Sequence, residues 1–388
     1  MALDRRSFIR VLGAVGGIAG IGLIGGSAWL MTRTPTGALA PWQAADGMPD
    51  AGSDPRMTAL ARAILSPNPH NRQPWVVALE GDEALDLYCD LDRRLPETDP
   101  FDRQVTIGFG CFIELYRLAA AAQGRGLRIE PFPDGEPGDR LDGRRIARLT
   151  FDGPGDRDPL IEALPRRRSC KEPFETAREV PASALESLAG AGQMLPVRTT
   201  ATAAPGQRDA LRALTWEAHL REVVTPAKLQ ESVDLMRIGR GEIEASPDGI
   251  DLGGPMMAVL AAGGLVTRST LADPDSTAFR QGLDLYSAIT SSAMAHVWLV
   301  TAGNRRADQI AAGRAWMRID LTAAALGIAI HPLSQALQEY DEMADLHGRA
   351  HQLLAPDGGT VQMLGRLGYG PDVPPSPRWP AEAALRSV

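Results

Sequence analysis

The sequence predicts an α+β protein built from two unequal halves of one polypeptide, each a sheet packed with a long alanine-rich helix. Three observations carry that expectation. Two stretches 203 positions apart align without a gap, from Gly110 to Gly124 and from Gly313 to Gly327. They coincide at Gly110/Gly313, Leu118/Leu321, Ala120/Ala323, Ala121/Ala324, Ala122/Ala325 and Gly124/Gly327. Each closes on a glycine, as helix C-termini often do. Ahead of each stands a strand-like apolar run, from Ala84 to Leu91 before the first and from His296 to Ala302 before the second. Small alanine faces allow close approach, which suits two helices crossing at a pseudo-twofold axis.

A chain of 388 residues is long enough for a well-buried core and a deep ligand site. The content is 44% hydrophobic and 23% charged, with 40 Gly and 30 Pro, an ordinary globular composition rich in turns. A net charge of −8 argues against nucleic acid, whose binding needs surplus basic surface. Three cysteines, Cys89, Cys111 and Cys170, cannot all pair and show no CxxC spacing, so they read as buried or free thiols.

The N-terminus places Arg5-Arg6 before Ser7, Phe8, Ile9 and Arg10, then runs without charge from Val11 to Met31. This resembles a twin-arginine export signal; a Sec signal or a plain anchor is the alternative. At about 1.5 Å per residue such a run spans a bilayer core, with the arginines holding the N-terminus cytoplasmic. Ala38-Leu39-Ala40 has cleavage-site spacing but precedes Pro41, which favours a retained anchor over a cut. Gly20-Ile-Gly-Leu-Ile-Gly25 is a literal GxGxxG inside this run, without the preceding strand or following acidic residue that a dinucleotide turn requires. The expected organisation is therefore a signal or anchor over 1–31, a linker over 32–54, a first half over 55–155 and a second half over 156–388. The second half contains a helical insert at about 205–263, read as a lid over the site or as a packing element away from it.

Between a helical run from Met57 to Leu65 and a strand from Val76 to Leu79 lies Ser66-Pro-Asn-Pro-His-Asn-Arg-Gln-Pro-Trp75. A proline-stiffened polar turn holds amides in fixed positions at little entropic cost. Asn71 and Gln73 both donate and accept, which suits a purely structural turn or, less readily, the edge of a flavin ring. In the second half, Arg166-Arg-Arg-Ser-Cys-Lys171 offers guanidiniums, a hydroxyl and an ammonium, the groups that meet a near-dianionic phosphate. Lys171 is one of only two lysines in the chain, the other being Lys228.

These residues carry a resemblance to the nitroreductase family. Pro67, Asn71, Gln73, Pro74 and Trp75 match its Pro-Ser-x-x-Asn-x-Gln-Pro-Trp turn, with Asn68 and Pro69 departing from it. Arg167, Ser169 and Lys171 match its Arg-x-Ser-x-Lys/Arg phosphate signature, with Arg168 beside them. The resemblance implies one FMN held by Arg167, Arg168, Ser169 and Lys171, with the turn at Pro67, Asn68, Asn71 and Gln73 meeting the ring. It further implies backbone N–H groups at Ser334 and Gln335, just after Pro332, directed at the reactive ring edge, and Arg378 as a closing phosphate ligand. The segment from Asp92 to Arg103 looks like that of the Acg-type branch, whose members fuse two such halves into an intramolecular pseudo-dimer with one lidded site.

The resemblance thus implies a flavin-dependent oxidoreductase passing electrons to a small flat acceptor of the quinone or nitroaromatic class. The flavin itself would carry the chemistry, so no catalytic side chain is expected. Export would leave soluble NAD(P)H behind and point to a membrane quinol or a redox partner as donor. A non-catalytic protein that sequesters FMN under its lid is the rival reading, and a flavin-free scaffold a third. His347 and His351, four apart on a helix, lack a third ligand, so no metal is expected. His331 reads as a packing residue beside the flavin turn. The chain is expected as a monomeric pseudo-dimer or a homodimer of these, in the periplasm or on the outer face of the cytoplasmic membrane.

Overall fold

A computed structural model of the chain describes residues 34–46, 53–193 and 196–386. The twin-arginine stretch and its apolar run lie outside these residues. In chain order, the first part comprises α1 (Thr36–Asp46), α2 (Pro55–Ala63), β1 (Trp75–Glu80), β2 (Ala84–Cys89), α3 (Arg103–Ala122), β3 (Arg125–Pro131) and β4 (Ala147–Pro154). There follow α4 (Ala182–Ala191), β5 (Arg198–Thr202), α5 (Pro205–Val224), α6 (Pro226–Asp234), β6 (Met236–Ile238), α7 (Gly239–Ala245) and β7 (Ile250–Leu252). The chain ends through α8 (Pro255–Ala262), α9 (Arg268–Ala272), α10 (Thr277–Ser291), β8 (Ala295–Thr301), α11 (Arg306–Ala325), β9 (Ala329–Pro332), α12 (Ala344–Leu354) and β10 (Thr360–Gly368).

Two four-stranded antiparallel sheets result, ordered β1-β2-β4-β3 and β5-β8-β10-β9. Their connectivity is the same: two strands, a long helix, two more strands, with the last inserted beside the second. Every residue of β8 is buried. The second sheet is covered on one side by the central helices and on the other by a separate cluster including Leu211, Leu214, Leu346 and Leu354. The first sheet leaves its outer edge on solvent, so no residue of β3 is buried.

The two aligned stretches are the two central helices, and they pack on each other. A Cβ built on Gly110 would meet the carbonyl of Ile310 at 2.3 Å and Cα of Gly313 at 2.8 Å; one built on Gly313 would meet the carbonyl of Ile107 at 2.0 Å. Glycine at both positions is thus what lets the two backbones touch. Gly124 and Gly327 close the helices at φ +74° and +66°, in the left-handed region where glycine is unstrained. Both helices start seven residues ahead of the aligned stretches. Of the helices among the described residues, α3 is long and apolar enough to cross a membrane, but it is a buried core helix.

Three boundaries differ from expectation. Thr36–Asp46, expected within a linker, is a helix whose Ala38, Trp42 and Ala45 are buried, because its apolar side finds a place against the C-terminal segment. The insert does not stop near 263: α9 and α10 continue it until β8. The halves also exchange ends, since Leu385 bridges Val77 in parallel and the amide of Arg386 donates to the Val77 carbonyl at 2.8 Å.

Candidate functional site

The turn after α2 is held by its own polar groups. His70, Asn71 and Gln73 have φ of +47°, +51° and +50°, a left-handed conformation costing about 1–2 kcal/mol for each non-glycine residue. Such strain persists only where the surroundings over-determine it. Asn68 Oδ1 accepts from the Gln73 amide at 2.8 Å, Gln73 Nε2 donates to the Pro247 carbonyl at 2.7 Å, and Gln73 Oε1 accepts from the Trp379 amide at 3.0 Å. Asn71 Nδ2 donates to the Pro377 carbonyl at 3.0 Å, and Asn71 Oδ1 accepts from Arg378. The side-chain amides expected to face a ring are therefore engaged within the protein, and they weld the turn to the C-terminal segment and the lid. Pro67 leads into this turn.

Arg378 lies in the same junction and is almost wholly buried. Its guanidinium donates to the carbonyls of Ile64, Leu65, Ser66 and Pro377. Arg167, also buried, donates to the Leu65 carbonyl at 3.3 Å and pairs with the buried carboxylate of Asp320 at 3.0 Å. Arg168, half-buried, bonds the carbonyls of Val373, Pro165 and Arg167. All three guanidiniums lie on the ring of Trp42, at 5.4, 4.9 and 5.8 Å for Arg167, Arg168 and Arg378. The turn from the early part of the chain and the late arginines thus occupy one place.

This cluster is short of negative charge. Among the described residues only Arg167 is ion-paired with a carboxylate within it; burial, then the charge of Arg167, push Arg378 down to about 9, opposed by the charge of nearby Asp251. Burial, then Arg167, also lowers Arg168. Arg167 Nε and Ser66 Oγ are buried without a hydrogen-bond partner. Surplus buried cations with idle donors fit a phosphate group.

Ser169 and Lys171 run beside β9: Ser169 bridges Ile330 and the Cys170 amide donates to the Ile330 carbonyl at 2.9 Å. Buried Arg366 fixes this stretch by donating to the carbonyls of Cys170 and Glu172 at 3.0 and 2.8 Å, and to His331 Nδ1 at 3.1 Å. Lys171 is exposed, and its charge, after burial, helps hold His70 down at about 4 and His331 well below the ordinary histidine range. Pro332 ends β9, and Ser334 and Gln335 open a short 3-10 turn, where first-turn amides have no partner within the turn. Among the described contacts nothing bonds Ser334 or Gln335 to the arginine cluster, and the Ser169–Lys171 stretch, which follows Arg168, pairs with β9 at Ile330.

The insert bonds directly to the turn. Gly249 donates to the Asn71 carbonyl at 3.2 Å, His70 meets Ser232 Oγ at 3.2 Å, and Asp248 pairs with Arg72 at 3.1 Å and Arg237 at 2.8 Å. Behind Gln335 lies a buried polar group absent from the sequence reading. Glu222 Oε2 accepts from Gln338 Nε2 at 2.6 Å, Tyr286 donates to Gln335 Oε1 at 3.2 Å, and His219 stacks on Tyr286 at 3.5 Å. Burial raises Glu222 to about 7. Asp320, Trp42, Arg366, Asp248 and Glu222 had no motif to mark them, since each acts through a partner 100 or more positions away or through a lid contact. Among the described residues no metal-binding group of three or more His, Cys, Asp or Glu occurs, and the three cysteines are free and buried. His351 instead accepts from the Val361 amide at 3.1 Å.

Two antiparallel four-stranded sheets around paired central helices, with a buried arginine cluster beside the early turn, define an α+β chain. Its sequence is 27% identical over 347 residues to a Mycobacterium tuberculosis protein bearing the name NAD(P)H nitroreductase Rv3131, covering 84% of this chain and 91% of that one. The M. tuberculosis protein acg, also named as an NAD(P)H nitroreductase, is 36% identical over 96 residues, 24% of this chain and 28% of its own. No family model matches. Among solved structures, the FMN-dependent nitroreductase NfnB of Mycobacterium smegmatis in complex with NADPH superposes with a TM-score of 0.37 at 20% identity, over 59% of this chain and 99% of that one. A nitroreductase by name from Anabaena variabilis gives 0.45 at 13% identity, over 86% and 91%. With every such score under one half, the relationship is carried by the sequence matches.

Proposed function

We propose that the chain is an FMN-dependent oxidoreductase whose two halves form an intramolecular pseudo-dimer around one flavin site. The observation that supports it most is the meeting of Arg167, Arg168 and Arg378 with the Ser66–Trp75 turn in a carboxylate-poor junction. Arg167, Ser169, Arg378 and Ser66 Oγ would hold the phosphate, and Lys171 would place positive charge beside the ring. The amides of Ser334 and Gln335 would meet the ring edge, while Pro67, Asn68, Asn71 and Gln73 shape the turn. FMN supplies two-electron chemistry when bound, and positive charge nearby favours its reduced anionic form. The protein's own contribution is to hold the phosphate, exclude water with the lid and keep the surrounding groups in fixed protonation states. The acceptor class we infer is a small flat quinone or nitroaromatic. The names of the relatives support NAD(P)H as electron donor, and an exported, membrane-tethered chain would use a quinol instead.

The bonds from Pro247, Asp248 and Gly249 to the turn favour a second reading, in which FMN is sequestered beneath a closed lid. Stopped-flow reduction of the FMN-bound full chain by NADPH or a quinol, then reoxidation by a nitroaromatic or quinone, separates the two. Reduction and turnover are expected. Bound FMN that no donor reduces would establish sequestration, and a chain that binds no flavin would defeat both readings.

A further inference from the structure

The insert carries an apolar face that the other described residues leave bare. From Leu252 to Thr267 there is no Asp, Glu, Lys or Arg, and within this stretch no residue of α8 is buried. Met256, Val259 and Leu265 are 55%, 41% and 61% exposed. Gly254 and Gly264 bound the segment in the left-handed region, at φ +94° and +69°, so it is a turn-delimited helix presented outward. Scattered apolar side chains on a surface mean little, but a contiguous uncharged run of them marks a docking face.

Its neighbourhood indicates what covers it. α8 packs on α7, and Glu244 of α7 accepts from the amides of Gly37 and Ala38 at 3.2 and 3.1 Å, clamping the start of α1 beside it. Only Thr32, Arg33, Thr34 and Pro35 separate α1 from Met31, the last residue of the uncharged run that begins at Val11. Even fully extended, that connection reaches less than about 20 Å. A bilayer entered by the Val11–Met31 run would therefore lie next to α7 and α8.

We propose that the α8 face of the lid docks on the lipid bilayer surface. This rests on the reading of Val11–Met31 as a membrane segment, and it is independent of the flavin. Among the described residues the cations of β6, α7 and α9 beside α8 are paired, Arg237 with Asp248, Arg240 with Glu244 and Arg268 with Glu242. The attachment is therefore apolar, independent of anionic lipid and insensitive to salt, since screening acts on charge and not on apolar area. A lid seated in this way faces the phase in which a quinone-class acceptor dissolves.

The test uses the full chain reconstituted into phosphatidylcholine vesicles, with an environment-sensitive fluorophore on Val259→Cys and, as control, on Leu326→Cys. Leu326 follows α11, which packs on the central core. The native cysteines are buried and leave the new thiol as the reactive one. Expected are a blue shift and at least twofold quenching of the Val259 label by brominated lipid, unchanged by 0.5 M salt, with the Leu326 label unaffected. Vesicle-bound protein with an unquenched, water-exposed Val259 label would overturn the docking and leave the membrane segment standing. Protein that fails to associate with vesicles would overturn both. A Val259 label shielded from iodide in the absence of lipid, in proportion to protein concentration, would assign the face to a second copy of the chain and likewise overturn the proposal.

Discussion

Arg167 and Asp320 pair within the second half, where Arg167 also reaches the Leu65 carbonyl of the first, and each, being buried, needs the other. Burial raises the Asp320 carboxyl while Arg167 opposes it. Arg167→Met alone is expected to cost about 3–5 kcal/mol, because it leaves Asp320 buried without its partner. Arg167→Met with Asp320→Leu should recover most of that stability without recovering FMN binding, as read from denaturation midpoints and flavin absorbance. Glu222 makes a separate prediction. Its folded pKa of about 7 lies above the ordinary 4.5, so the folded state holds the extra proton between those values and stability falls as pH rises through this window. Glu222→Gln should accordingly raise the melting temperature at pH 8 and leave it nearly unchanged at pH 4, the pH 8 gain being at most about 3 kcal/mol. The arginines and the turn were legible because they follow a spaced pattern. Asp320, Trp42 and Glu222 were not, because a tertiary partner rather than a neighbour in sequence gives each its role.

Among elements, the close packing of α3 on α11 was expected from their alanine faces, and the structure supplies a further reason: at the aligned Gly110 and Gly313 backbone meets backbone. Gly313→Ala should destabilise the chain by about 2–3 kcal/mol in urea denaturation, since the obstructing atoms belong to main chain that has no rotamer to yield. The lid was legible as an insert but not in extent. Its α9 and α10 have caps at Thr267 and Ser276 like those of any surface helix, so nothing in their sequence marks them as part of the excursion. α1 was hidden for a different reason. Its Pro41 and small residues suit a linker as well as a helix, and only docking of Trp42 onto the arginines decides between them. Asp248 ties the insert to the turn through Arg72 and, at 3.8 Å, to Arg93, so if the insert acts as the proposed lid Asp248→Ala should speed FMN release at least tenfold in a flavin-exchange assay. An unchanged release rate would mean that the lid does not gate the site.

Across the whole molecule, each half supplies what the other lacks. The first sheet's edge is completed by residues near the C-terminus, and the turn after α2 is completed by Pro377, Arg378, Trp379 and the lid. The paired sheets and helices could be read from periodicity and repetition, whereas this exchange of ends could not, because nothing local records which distant segment will fill a groove. Among the described residues this exchange assembles one such cluster of arginines, which the proposed function assigns to one phosphate per chain. The most direct test of that account is calorimetric titration of the flavin-free full chain with FMN and with riboflavin, which differ by the phosphate alone. One FMN per chain is expected, with riboflavin bound at least about 100-fold more weakly, a difference of about 2.7 kcal/mol. Equal affinity for the two, or two FMN per chain, would contradict it.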